Sequence, residues 1–207
     1  MARVFSSKRI LLKIIISLYL LFILAGNVAC SSGSRMAQTE ITMQKDGGVS
    51  IRLVESFDKP YYDAEELRQS ILTKVASYNR NVGSGNISVE KIEVENQIAE
   101  VIMSYETAED YARFNKEVYF VGSATKAQEA GYDLNTVLSG AEDTTETIGM
   151  SDMLNMEDYQ ILITDSKIPI IINGKAEYLS DNVSVSKNKK VITVAADSDA
   201  LAYIMFR

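Results

Sequence analysis

The sequence predicts an α+β fold, in which a mostly antiparallel sheet is covered by one long helix in the order ββαββαβ, followed by a β-rich C-terminal meander. Three observations carry this expectation. Leu67, Ile71, Val75 and Tyr78 follow one another at helical steps between a capping sequence and a glycine. On either side of that stretch, apolar residues alternate with polar ones in paired runs separated by turn residues. Toward the C-terminus, short β-prone runs recur at spacings of about 8–10 residues.

The elements follow in order. Ile41 and Met43 alternate with polar neighbours, Asp46-Gly47-Gly48 supplies a tight turn, and Val49, Ile51 and Leu53 alternate again as a hairpin. Phe57-Asp58-Lys59-Pro60 breaks it. Tyr61 and Tyr62, beside Pro60, suit packing onto the first helical turn or, alternatively, an exposed aromatic contact. Asp63-Ala64-Glu65-Glu66 has the form of a capping box, with Asp63 accepting from the first free amides and Glu66 reaching back. The helix ends near Asn81, before Gly83-Ser84-Gly85.

Ile87 and Val89, then Ile92 and Val94, form a strand whose alternation slips at Glu90-Lys91, where a bulge is expected. Ala99, Val101, Met103 and Tyr105 continue on a partner strand after a turn at Glu95-Asn96. Thr107-Ala108-Glu109-Asp110 starts a short helix with Tyr111 and Phe114 on its apolar face. Residues 118–121 form a buried strand, and Thr125-Lys126-Ala127-Gln128 opens another short helix stopped by Gly131. Residues 39–132 thus make an α+β module, 133–150 a polar loop, and 151–207 a β-rich module. The last module has a helical turn near 151–157 and strands at 159–164, 168–172, 176–179, 183–186, 190–196 and 201–206. Whether these strands extend the first sheet or form a separate lobe stays open.

The N-terminus predicts an address. Arg3, Lys8, Arg9 and Lys13 precede the apolar run 14–25, and small residues follow from Gly26 to Ala29. Basic, apolar and small zones in that order form a signal peptide over residues 1–29. Cys30 stands where the apolar run gives out, and this segment resembles the lipobox of bacterial lipoproteins. The resemblance implies that Cys30 is acylated and becomes the mature N-terminus, with 30–38 as lipid anchor and polar tether. Asn27 departs from the aliphatic residue usual three before the cysteine. Two alternatives remain open: the uncharged stretch of about 21 residues ending at Ser34 could span a bilayer uncleaved, or Cys30 could be incidental beside an ordinary peptidase site. All three place the residues after 30 outside the cytoplasm.

Removing the leader takes four of 21 basic residues and none of 28 acids. A mature chain near −11 repels nucleic acid and anionic lipid, so no nucleic-acid partner is expected. With no cysteine after Cys30, the domain rests on its apolar core rather than on disulfides.

The chain has no histidine, which removes Ser-His-Asp and Cys-His catalysis and imidazole-bound zinc. Gly83-Ser84-Gly85 lacks the further glycine and helix start of a phosphate loop. Carboxylate pairs could hydrolyse glycosides, but 28 acids make accidental pairs the rule. Met150, Met153 and Met156 have a spacing that suits Cu(I), and more commonly a packing face. Asp197-Ser198-Asp199 and Glu142-Asp143 lack the spacing of a calcium loop. The acids at 63–66 complement a helix start. No catalytic residue, metal or cofactor is expected, and Cys30 is the one candidate functional residue, for lipidation.

Taken with the leader, Glu55-Ser56-Phe57-Asp58-Lys59-Pro60-Tyr61-Tyr62-Asp63, Ala108-Glu109-Asp110-Tyr111-Ala112-Arg113-Phe114-Asn115 and Tyr178-Leu179-Ser180-Asp181-Asn182-Val183 resemble the small uncharacterised lipoproteins of Gram-positive bacteria. The resemblance implies an extracytoplasmic lipoprotein anchored to the cell membrane and transfers no activity. The expected role is non-enzymatic binding of another envelope protein or of wall material. The alternatives are a small-ligand-binding domain and a carboxylate-based hydrolase.

Overall fold

The computed structural model describes residues 38–207. The leader, Cys30 and all but the last residue of the tether lie outside them.

The first sheet begins as the sequence predicts. β1 (Glu40–Met43) and β2 (Val49–Ser56) form a hairpin with Ile41 opposite Ile51 and Met43 opposite Val49. Gly47 takes φ 92 in its turn, a conformation that side chains with a Cβ resist. α1 (Ala64–Val82) opens on Asp63, whose Oδ1 accepts from the amides of Glu65 and Glu66 at 2.8 and 3.0 Å. Glu66 makes no return bond, so the expected box is a one-sided cap. Gly83 closes the helix at φ 77, its amide donating to the Asn79 carbonyl. β3 (Ile87–Glu95) and β4 (Ile98–Tyr105) follow, joined through Asn96 and Gln97 at φ 51 and 62. Their register shifts between Val89 and Lys91, where the bulge was expected.

Next come α2 (Ala108–Asn115), β5 (Tyr119–Gly122), α3 (Ala124–Glu129), β6 (Leu138–Gly140), β7 (Thr147–Ile148) and α4 (Met150–Asn155). The chain ends with β8 (Gln160–Thr164), β9 (Ile170–Ile171), β10 (Ala176–Leu179), β11 (Val183–Val185), β12 (Val191–Val194) and β13 (Ala202–Phe206). The fold is α+β, with two sheets and four helices among the described residues. One sheet has the order β11-β12-β9-β1-β2-β4-β3 and the other β5-β8-β13-β10-β6-β7. β1 and β9 are parallel, and the other strand pairings are antiparallel.

Several expectations are corrected by this pairing. The C-terminal strands are no meander: β9, β11 and β12 extend the first sheet, while β8, β10 and β13 build the second. β5 leaves the first sheet as well and pairs with β8. The stretch 133–150, expected as a loop, carries β6 and β7 at the edge of the second sheet. α3 starts before Thr125, because the Ser123 hydroxyl accepts from the Lys126 amide at 3.2 Å and caps it there.

Packing explains why the long helix does not cover the first sheet alone. α1 runs along β3, and Val75, Ile71 and Tyr78 reach the core there. The rest of that core is closed by the second sheet. Leu162, Ala202, Ile204 and Phe206 join Ile41, Ile51, Ile170 and Ile192 in one buried cluster. Adjacent residues Ile161, Ile163, Tyr203 and Met205 point the other way, into a second cluster with Ala124, Ala127, Leu134, Leu138 and Met153. The second sheet is therefore a middle layer, buried on both faces. The first sheet keeps a wet outer face, where Glu100 sits 2.9 Å from Arg52 Nε and 2.6 Å from Lys91 Nζ. The Lys91 hydrogen bond is the main reason the Glu100 carboxyl is held below its usual range.

Candidate functional site

Cys30, the expected lipidation site, lies outside the described residues. The other residues singled out in the sequence fall mostly into structural roles. Asp63 is a helix cap. Asp143 closes a local turn, accepting from the Thr145 amide and hydroxyl at 2.9 and 2.7 Å. Asp197 and Asp199 are exposed. Met153 is buried at 1 % exposure, while Met150 stands 41 % exposed, so these two thioethers do not converge. Among the described residues no group of three or more Asp, Glu, His or Cys side chains is placed to hold a metal ion.

Between α2 and β5 lies a buried aromatic cluster. Tyr111 packs between Tyr105, which it meets edge-on, and Tyr119, with ring centroids 5.1 and 4.8 Å away, and Phe114 meets Tyr78 at 5.6 Å. The Tyr111 hydroxyl donates to Glu117 Oε2 at 3.0 Å. Burial, reinforced by the Glu117 charge, raises the pKa of Tyr111 and Tyr119, so both phenols remain protonated. Such hydroxyls are poor acids and poor nucleophiles, and the cluster serves packing. Nearby, Asp110 accepts from Thr107, Tyr78 and Asn86 at 2.6, 2.9 and 2.9 Å. Burial alone would raise its pKa, but these hydrogen bonds and the Arg113 charge outweigh it and hold the carboxyl low.

The exposed aromatics form a different arrangement. Where β2 ends, the Phe57 amide donates to the Gln97 carbonyl at 2.7 Å, fixing the strand exit against the β3–β4 turn. The Tyr62 amide donates to the Lys59 carbonyl at 3.0 Å, which tightens the turn through Pro60. Phe57 and Tyr62 then stack at 4.8 Å, and Tyr61 meets Tyr62 edge-on at 5.1 Å. Tyr62 is the half-buried middle of this row, and Tyr61 is 65 % exposed at its outer end. Ile98, opposite Ser56 at the start of β4, is 45 % exposed. Tyr61 is thus the exposed member of the pair, while Tyr62 packs on Phe57. Phe57 joins them across the 57–62 turn, while Ile98 is placed at the same end of the sheet by the β2–β4 pairing, which no local pattern signals.

Some charges around this ridge are engaged, while Glu65, Glu66 and Glu95 are exposed. Asp58 pairs with Lys59 at 3.3 Å, Asp63 caps α1, and burial raises the pKa of Glu55. The same end of the sheet receives the incoming chain. Thr39 Oγ1 accepts from the Val54 amide at 2.9 Å and donates to the Val54 carbonyl at 3.1 Å, three residues before Phe57.

At the opposite end of the sheets, Lys189 lies 2.7 Å from Glu142 and 3.4 Å from Glu177. The Tyr178 hydroxyl donates to Glu146 at 2.7 Å, a bond that pushes its pKa up to about 12. The Arg207 guanidinium sits 5.0 Å over the Tyr159 ring. Lys189, Glu146 and Arg207 are thus each met by a neighbour.

No helix among the described residues is long and apolar enough to cross a membrane. Comparison with family models, with curated protein sequences and with solved structures gives no match.

Proposed function

We propose that this chain is an exported lipoprotein, held on the outer face of the cell membrane through Cys30, whose folded part is a non-enzymatic binding module. The ββαββαβ half, with its long helix, would carry the attachment and the ridge, and the β-rich half would complete the core. The three-zone leader and the placement of Cys30 support the address. The single observation that favours binding is the Phe57–Tyr62 row, which holds Tyr61 out in solvent on a stacked, hydrogen-bonded base. An ordered aromatic kept out of the core is the usual anchor of a contact surface. The space between the sheets, where a small ligand would sit, is filled by Ile41, Leu162, Ile170 and Ile204. Partners are envelope proteins or wall material, and the acidic mature surface disfavours nucleic acid.

The test is Cys30→Ser in the producing bacterium. Loss of membrane association, with precursor accumulating, is the expected result. Unchanged processing and retention would assign the attachment to the apolar segment instead.

A further inference from the structure

The chain enters the domain at Thr39, and Thr39 is bonded on both sides of its hydroxyl to Val54. Strand pairing carries that end of the sheet onward: Ser56 faces Ile98 across β2 and β4, and Glu95 faces Ile98 across β3 and β4. The turn 57–62 rises from the same end. Exposed Tyr61, half-buried Tyr62 and Phe57, and exposed Ile98 therefore lie beside the point where the tether arrives. The opposite ends of β1 and β2 carry the Lys45–Gly48 turn, at the far side of the domain. Residues 31–38 extend at most ~28 Å, so the tethered end is kept close to the bilayer.

From this placement we infer that Phe57, Tyr61, Tyr62 and Ile98 rest on the headgroup region of the membrane that anchors the chain, and so hold the domain upright with the Lys45–Gly48 turn outward. The inference rests on the anchored reading above and gives the ridge the membrane as its partner, in place of an envelope protein or wall material. Tyrosine suits this boundary because its ring is apolar and its hydroxyl is wet. Acyl chains already give attachment, so what the ridge adds is orientation. The contact is aromatic rather than electrostatic. Asp58 is paired with Lys59, and Asp63 is bound to the helix amides. Glu65 and Glu66 on the first turn of α1, and Glu95 opposite Ile98, remain exposed and oppose anionic lipid, so added salt strengthens the contact on an anionic membrane.

The sequence contains no tryptophan, so Tyr61→Trp introduces a unique indole at an exposed position. The full-length acylated variant is placed in phosphatidylcholine vesicles with and without bromine on the acyl chains, and attachment is measured by flotation. At position 61 the emission shifts to the blue and bromine quenches it roughly twofold, as for an interfacial indole. Lys45→Trp, at the far turn, shows neither effect. A floated protein whose indole at position 61 is unshifted and unquenched overturns the ridge contact while leaving the anchor standing. A blue shift without quenching also overturns it, because protein and not lipid then covers the ridge. Failure to float overturns the anchored reading and this inference together.

Discussion

Asn79 of α1 pairs with both backbone groups of Ile87, accepting from its amide at 3.0 Å and donating to its carbonyl at 2.8 Å. β3 is the last strand of its sheet, and an open edge of that length invites pairing with another chain. One side-chain amide here takes the place of a neighbouring strand. Arg68, three turns earlier on the same helix, donates to the Ile92 carbonyl at 2.8 Å and covers the far half of the edge.

Asn79→Ala is expected to lower stability by about 2 kcal/mol, the cost of leaving a part-buried amide and carbonyl without partners. It also opens the edge, so aggregation during refolding should rise. Urea unfolding and light scattering measure the two effects, and a variant that matches the parent in both would mean the edge needs no such cover.

The layered core predicts a contrast between neighbours. Leu162 and Ile163 face opposite ways from β8, and both are fully buried. Leu162→Ala and Ile163→Ala should each cost about 3 kcal/mol, as deletions inside a packed core do. In the first sheet the same comparison splits. Ile51→Ala should cost about as much, while Arg52→Ala, on the wet face, should cost under ~1 kcal/mol. Denaturant midpoints for the four variants decide this, and equal losses at positions 51 and 52 would contradict a one-sided sheet.

Asp110 makes a pH-dependent contribution. Its folded pKa lies below the ordinary 3.8, so the unfolded chain takes up its proton first as acid is added. The stabilisation is complete above that value and drains away as pH falls through the lower, folded one. Asp110→Asn should flatten this acid limb of the stability curve. Asp110→Ala should also cost about 3 kcal/mol at neutral pH, because Thr107, Asn86 and Tyr78 lose their shared acceptor. An unaltered acid limb in the asparagine variant would remove Asp110 from the account.

The methionines at 150, 153 and 156 offer a chemical test. Met153→Ala should destabilise by about 2 kcal/mol because its thioether fills the second core, whereas Met150→Ala should be close to neutral. Titration with Cu(I) against a competing chelator should give the same curve for the parent and for Met→Leu variants. A loss of binding in those variants would revive a copper site.

For the ridge, Tyr61→Ser should change stability by less than ~0.5 kcal/mol, since the ring is mostly in solvent. Thermal unfolding checks this, and a large loss would show that Tyr61 is a packing residue like Tyr62.

Local chemistry was legible in the chain wherever a short pattern carries its own physical cause. Asp63, Thr107 and Gly83 mark helix ends because side-chain oxygens and a glycine meet unpaired backbone groups within a few residues. The bulge in β3 shows as a slip in apolar alternation, since one extra residue moves the following side chains to the other face. The ridge was half legible: Phe57, Tyr61 and Tyr62 stand within six residues around Pro60, but Ile98 is brought to the same end only by the pairing of β2 with β4.

What the sequence alone determined is the existence and kind of most elements, and the lack of histidine and of any cysteine after Cys30. Tertiary structure decided the partners. Ile161-Leu162-Ile163 and Ala202–Phe206 are apolar on every residue, which says that both faces are buried but not against what. β9 joins β1 in parallel across more than a hundred residues of chain, and β5 moves to the second sheet. Hydrogen-bond ladders are alike from strand to strand, so the choice among them falls to the packing of whole layers.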